Sequence, residues 1–181
     1  MKNLKKIVLI DCLLFLLLLS SCEQNAEQKH FEKHQHEFEE LINYYQQIIP
    51  EDKIVLIEFT NNSTLDRLQI TDIDTITKSI SPLFFKWNIK VDNIPDSILA
   101  ELNWNKEILQ TLKNKLDNVD CLSISNEKPV EIGYKRFFLG MTSYYIFRNY
   151  DFKELEDIRN HRTDLHFFCD SVAWCYEIGA Y

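Results

Sequence analysis

Glycine is scarce in this chain: Gly133, Gly140 and Gly179 are the whole supply across 181 residues. A backbone cradle for phosphate needs glycines where the chain must approach a ligand closely, so such a cradle is hard to build here. The patterns Gly-x-Gly-x-x-Gly, Gly-Lys-Ser/Thr, Gly-x-Ser-x-Gly and His-Glu-x-x-His are all missing. Four prolines and no internal repeat argue against a collagen-like region or a long disordered linker. A long hydrophobic run is missing as well. Ile7 to Leu19 offers thirteen residues with Asp11 among them, and a membrane-spanning helix takes about 18 or more apolar residues. Positive charge is also short, with 20 Lys and Arg against 28 Asp and Glu. Such a balance repels phosphate backbones and excludes nucleic acid as a partner.

What the N-terminus does have is an address. Lys2, Lys5 and Lys6 precede the apolar run, and Leu19-Ser20-Ser21-Cys22 follows it. A basic end, a short apolar segment and small residues at the cut are the layout of a secretory signal. Cysteine straight after Leu-Ser-Ser resembles the lipobox of bacterial lipoproteins. That resemblance implies a diacylglycerol (a palmitate-type acyl anchor) on the Cys22 thiol, cleavage just before it, and acylation of the new amino group. Cys12 is no rival, because Asp11 stands where a small residue is required. Three acyl chains exceed the two signals that stable attachment takes, each buried methylene adding ~0.8 kcal/mol. The expected organisation is a signal peptide over 1–21, a tether over 22–30 and a single domain over 31–181. Removing the signal leaves 17 basic and 27 acidic residues, a formal charge of −10. That charge suits solvation beside a membrane, or a protein partner with a basic surface.

Three thiols remain: Cys121, Cys169 and Cys175. With Asp170-Ser171 as a two-residue turn, Cys169 pairs with Val172 and Cys175 lies opposite His166. The two cysteines then fall on opposite faces of the hairpin and cannot bridge each other. The expectation is three small buried hydrophobes, with a Cys121 bridge to Cys169 or Cys175 left open.

Along the domain, Phe31, Phe38, Leu41, Ile42, Tyr45 and Ile49 recur at helical spacing up to Pro50. Ile54 to Phe59 reads as a buried strand, Asn61-Asn62-Ser63 as a turn and Leu65 to Ile70 as a return strand. Thr71-Asp72-Ile73-Asp74 looks like a helix start, with Ile73, Ile76 and Ile80 on one face and Pro82 past the end. Leu83 to Val91 is aromatic and fits either state. Pro95-Asp96-Ser97 opens a short helix through Leu102. A second helix begins near Asn105 and buries Ile108, Leu109, Leu112 and Leu116. Strands follow over Cys121–Ser125, Val130–Phe138 and Met141–Arg148, with Leu139-Gly140 as a tight turn. Asp151 caps a helix to Asn160, and Leu165–Asp170 with Val172–Ile178 form a last hairpin. The fold class is α+β: an N-terminal amphipathic helix, central helices, and an antiparallel sheet formed mainly by C-terminal hairpins. Tyr134, Tyr144, Tyr145, Phe147, Phe167, Phe168, Trp174 and Tyr176 enrich those strands, as cross-strand packing favours.

The cadence Asn103-Trp104, Cys121-Leu122-Ser123-Ile124, Ile132-Gly133-Tyr134-Lys135-Arg136, Ser143-Tyr144-Tyr145-Ile146-Phe147 and Glu177-Ile178-Gly179-Ala180 resembles a group of small cell-envelope lipoproteins of Bacteroidota-type bacteria, over about residues 95 to 180. The resemblance implies an envelope location in a two-membrane bacterium and no particular activity. Glu23, just after the lipid cysteine, weakly favours the outer membrane. Asp74-Thr75-Ile76, Asp96-Ser97-Ile98 and Asp170-Ser171-Val172 match that group's glycosylation triplets, although helix caps and turns account for each.

Candidate chemistry is thin. His30 and His34 stand four apart on the first helix, with Glu27, Glu37 and His36 nearby; two histidines at that spacing can share a divalent metal, with a carboxylate completing the shell. A solvated helix face explains the same residues. Asp72-Ile73-Asp74 matches the paired aspartates that hold metal in some glycosyl-transfer enzymes, and capping explains it better. His161, Asp164 and His166 with Cys169 or Cys175 contain the parts of a thiol catalytic group, yet such a group must converge from separate elements. The sequence therefore points to a non-enzymatic, lipid-anchored binding module without cofactor, metal or catalytic residues, Cys22 being its one assigned site. The alternatives are an immunity or inhibitor lipoprotein facing a basic toxin or hydrolase, and a small envelope hydrolase or metal-dependent enzyme.

Overall fold

A computed structural model of the chain describes residues 26–137 and 140–178. Cys22, the signal segment, Glu23, Phe138 at the end of an expected strand and Leu139 of the expected tight turn lie outside the described residues. The chain divides into two units, Met1–Gln35 and His36–Tyr181.

In the first unit, residues 26–33 form a helix, α1, that occupies much of the stretch expected to be tether. It closes at His34, whose backbone N–H donates to both His30 O (3.2 Å) and Phe31 O (3.1 Å).

The second unit is built on one eight-stranded antiparallel sheet in the order β3-β2-β1-β4-β5-β6-β8-β7. Helix α2 (Gln35–Ile48) leads into β1 (Lys53–Asn61), β2 (Thr64–Ile73) and β3 (Ile80–Lys90). Two helices, α3 (Asp96–Glu101) and α4 (Lys106–Asn118), then connect to β4 (Ser123–Ser125), β5 (Val130–Phe137) and β6 (Gly140–Ile146). Helix α5 (Phe152–His161) precedes the closing hairpin of β7 (His166–Cys169) and β8 (Val172–Ile178).

The α2 periodicity buries Phe38, Leu41, Ile42 and Tyr45, each worth about 1.5–3 kcal/mol when fully removed from water. Tyr45 Oη donates to Val55 O at 2.9 Å, a bond that accommodates a hydroxyl among wholly buried neighbours. Phe38 meets Tyr144 edge to face with ring centroids 5.2 Å apart. Helix α4 starts where Asn105 accepts the Ile108 N–H at 2.8 Å and buries Leu109, Leu112 and Leu116. Trp104 ties the connection down by donating Nε1–H to Ile48 O at 2.9 Å.

Successive side chains on a strand point to opposite faces. Tyr144 therefore faces α2, while Tyr145 faces a second cluster with Phe147, Leu165, Ala173 and Cys175, against which Leu155 and Ile158 of α5 pack. Asp151 caps α5 through a reciprocal box with Glu154.

Two expectations fail. The segment around Thr71-Asp72-Ile73-Asp74 is not a helix: β2 runs to Ile73, and β3 returns from Ile80 in the register Ile73↔Ile80 through Thr64↔Lys90. Asp74 does act as a cap, accepting the Ile76 and Thr77 N–H groups at 2.8 Å. Lys78 then takes φ 58° and reverses the chain before a second turn forms. The β-branched residues Ile73 and Ile80, paired where the two strands meet the turn, favour the extended outcome. In the last hairpin Cys169 does pair with Val172, but a shift between Phe167 and Cys169 places His166 opposite Trp174, not Cys175. The expected α+β class holds: five of the eight strands of the antiparallel sheet follow Val91 and three precede it, so the sheet spans much of the chain.

Candidate metal centre

The hydrogen bond from His34 N–H to His30 O stacks the two residues one turn apart, and their imidazoles face each other at a centroid distance of 5.0 Å and a tilt of 40°. The His34 Nε2 atom is buried and takes no hydrogen bond. A buried ring nitrogen without a protein partner is a costly arrangement unless something else supplies the bond. His36 is exposed and pairs with Glu40 at 3.6 Å. His30 and His34 belong, among the described residues, to a group able to hold a metal ion. Glu27 and Glu37, the carboxylates expected to join the histidines, are not part of it.

The expectation of a chain without enzymatic capacity is corrected by that donor set. Imidazoles one helical turn apart are ligands that catalytic zinc and non-haem iron sites use, and a site with few protein ligands leaves coordination positions open to water or substrate.

The other sequence candidates resolve differently. Asp72 pairs with Lys53 at 2.8 Å and Asp74 caps its turn, so the two are structural. In the cysteine-histidine set, Asp164 takes a two-pronged contact from Arg162 at 2.9 and 2.7 Å. The guanidinium hydrogen bond lowers the Asp164 carboxyl from the usual 3.8 to about 2. Cys175 Sγ lies 3.6 Å from Asp164 Oδ2, and burial first, then the Asp164 charge, pushes its thiol up to about 12. A thiol held that firmly in its protonated form is no nucleophile. His161 bonds within its own helix, Nδ1 to Asp157 O at 2.8 Å, and His166 stacks on Trp174 at 4.6 Å. Neither serves Cys175. All three described cysteines are free; Cys121 and Cys175 are buried as expected, whereas Cys169 is exposed, because it sits at the rim of the hairpin.

Sequence reading also missed the charges carried on the strands. Glu58, nearly fully buried, pairs with Arg136, which reaches Asp66 at 2.7 Å. Burial raises the Glu58 carboxyl, with Arg136 opposing the shift. Glu131 is raised by burial too and accepts from Ser143 Oγ at 2.9 Å. Tyr145 donates to Glu177, and its hydroxyl is held protonated chiefly by burial.

No family model, no curated protein and no solved structure matches this chain. What the fold and the site define is an α+β domain together with a metal-competent donor set.

Proposed function

We propose that the chain is a metal-dependent envelope protein, anchored by lipid at Cys22, that holds a divalent transition metal through His30 and His34. The observation that supports this most directly is the buried, hydrogen-bond-free Nε2 of His34 beside the His30 ring. Imidazole nitrogens suit zinc, copper, nickel and iron. An ion held by few protein ligands keeps positions open for water, whose pKa it lowers toward neutrality, and that makes hydrolysis the natural chemistry. The anchor rests on the basic, apolar and small-residue pattern ending at Leu19-Ser20-Ser21-Cys22.

Zinc titration calorimetry on the full chain in neutral detergent tests the metal. His34→Ala and His30→Ala should each weaken binding about tenfold or more, whereas His36→Ala should leave it unchanged. Equal binding by all four proteins would overturn the assignment. Hydrolysis of an activated ester, measured with zinc and with chelator, then separates a catalytic from a storage role. For the anchor, incorporation of labelled palmitate should disappear in Cys22→Ala.

A further inference from the structure

The sheet ends at β3 in an edge that no strand among the described residues covers. Eleven residues long and last in the strand order, β3 pairs on one side with β2. Its other row of backbone N–H and C=O groups meets no strand among the described residues, which leaves a template for one more. The side chains reinforce that opening. Ile80, Phe85 and Trp87 are 64%, 46% and 38% exposed. Phe85 and Trp87 stand edge to face at 5.4 Å, and the Arg67 guanidinium lies 5.3 Å above the indole. The aromatic platform is therefore ordered before anything binds.

Its charge is opposite to that of the rest of the molecule. From Thr75 to Val91 there is no carboxylate, while Lys78, Lys86 and Lys90 are exposed, in a chain whose formal net charge is −8. We infer that β3 is a docking strand for an extended, acidic segment of another protein, which adds as a ninth strand. Main-chain hydrogen bonds supply affinity. Alternate side chains supply selectivity, with apolar groups beside Phe85 and Trp87 and carboxylates beside Lys86 on the other face. In-register parallel pairing of β3 with a second copy of itself sets Lys86 against Lys86 and Lys90 against Lys90, which disfavours that arrangement. A bilayer offers the strand's unpaired backbone groups no matching row of donors and acceptors. This inference does not depend on the metal site.

The test is hydrogen exchange of the full chain in phosphatidylcholine nanodiscs, read over residues 80–90. The probe is a capped ten-residue peptide of alternating Glu and Val, with an alternating Lys and Val peptide as the control. The Glu-Val peptide should slow exchange over β3 by about tenfold or more, and the Lys-Val peptide should not. Lys86→Glu combined with Lys90→Glu, both solvent-exposed changes, should weaken the Glu-Val peptide about tenfold. Any of four results would overturn the inference: no protection at millimolar peptide, protection indifferent to the charge reversal, protection that grows with protein concentration alone (a second copy), or protection in phosphatidylglycerol nanodiscs without peptide (a lipid surface).

Discussion

The two ends of the sheet are made of similar residues and finished in opposite ways. At the β7 end the edge strand has four residues and carries a register shift. Helix α5 lies over it, and Arg159 reaches the Asp170 carbonyl at 3.2 Å and the Phe167 ring at 4.8 Å. Phe147 stacks on Phe167 at 5.3 Å and is 3% exposed. At the β3 end the edge strand is eleven residues long, no described helix covers Phe85 and Trp87, and both face solvent. A short, irregular, covered edge is how proteins prevent unwanted pairing. The contrast shows that this fold has the means to close an edge and applies them at one end. Pro82 and the lysines of β3 discourage self-pairing without hiding the apolar surface.

The largest expected effect sharpens that contrast directly. Phe147→Ala should cost about 3–5 kcal/mol in denaturant unfolding, because it empties a closed cluster of Leu165, Ala173 and Cys175. Phe85→Ala removes a ring of the same size and should cost below about 1 kcal/mol. Equal losses would show that the β3 ring is buried in the working molecule and that the two ends do not differ.

Next comes Gly140, at the start of β6 on the covered side. A Cβ built there would sit 2.2 Å from the Glu177 backbone carbonyl, a contact that a rotamer change cannot relieve. Gly140→Ala should cost about 1–3 kcal/mol by forcing β6 and β8 apart, and amide exchange should rise along β8. Gly133 is crowded instead by the Met141 thioether and the Ser123 side chain; part of that crowding can move away, so the same change should cost less there.

A smaller effect is expected at the cap of the covering helix. Asp151→Ala breaks the reciprocal box with Glu154 and should cost about 0.5–2 kcal/mol. The loss should show as faster exchange in α5 and greater solvent access at Phe147, while β3 stays unchanged. A matching change at β3 would mean that the two ends are coupled across the sheet.

The elements legible in the sequence are those whose signals are local. Asn105 with Leu109, Leu112 and Leu116 placed the start and buried face of α4, and Asp151 marked the start of α5. The Asp74 cap was read correctly as a cap and wrongly as a helix start, because its two N–H bonds are the same in a turn and in a first helical turn. What separates the two is the reversal at Lys78, and lysine carries no sequence mark for positive φ. The His166–Cys175 register failed for a related reason, since a one-residue irregularity moves every later partner. The site was half legible. His30 and His34 announce themselves by spacing, whereas Glu58 with Arg136 and Glu131 with Ser143 are brought together by strand pairing, and spacing along the chain says nothing about them.

The smallest expected effects lie in the titration of the covered end. Asp164 has a folded value of about 2, below its usual 3.8, so its interaction with Arg162 favours the folded state above the unfolded value. That contribution is complete above about pH 4 and fades as pH falls from there toward 2. Asp164→Asn should flatten the stability profile across that window and leave it unchanged near neutrality in slope. Cys175 behaves with the opposite sign: its folded value of about 12 exceeds the usual 9.0, so its contribution is whole below pH 9 and lost as pH rises toward 12. Alkylation by iodoacetamide at pH 8 reads the same environment without unfolding the chain. Cys169, exposed at the hairpin rim, should react first, and buried Cys121 and Cys175 should lag behind it. In Asp164→Asn the charge that opposes the thiolate is gone, so Cys175 should react faster while Cys169 keeps its rate. If Cys175 keeps its rate as well, burial alone protects the thiol, and the polar contact at the covered end has no part in closing it.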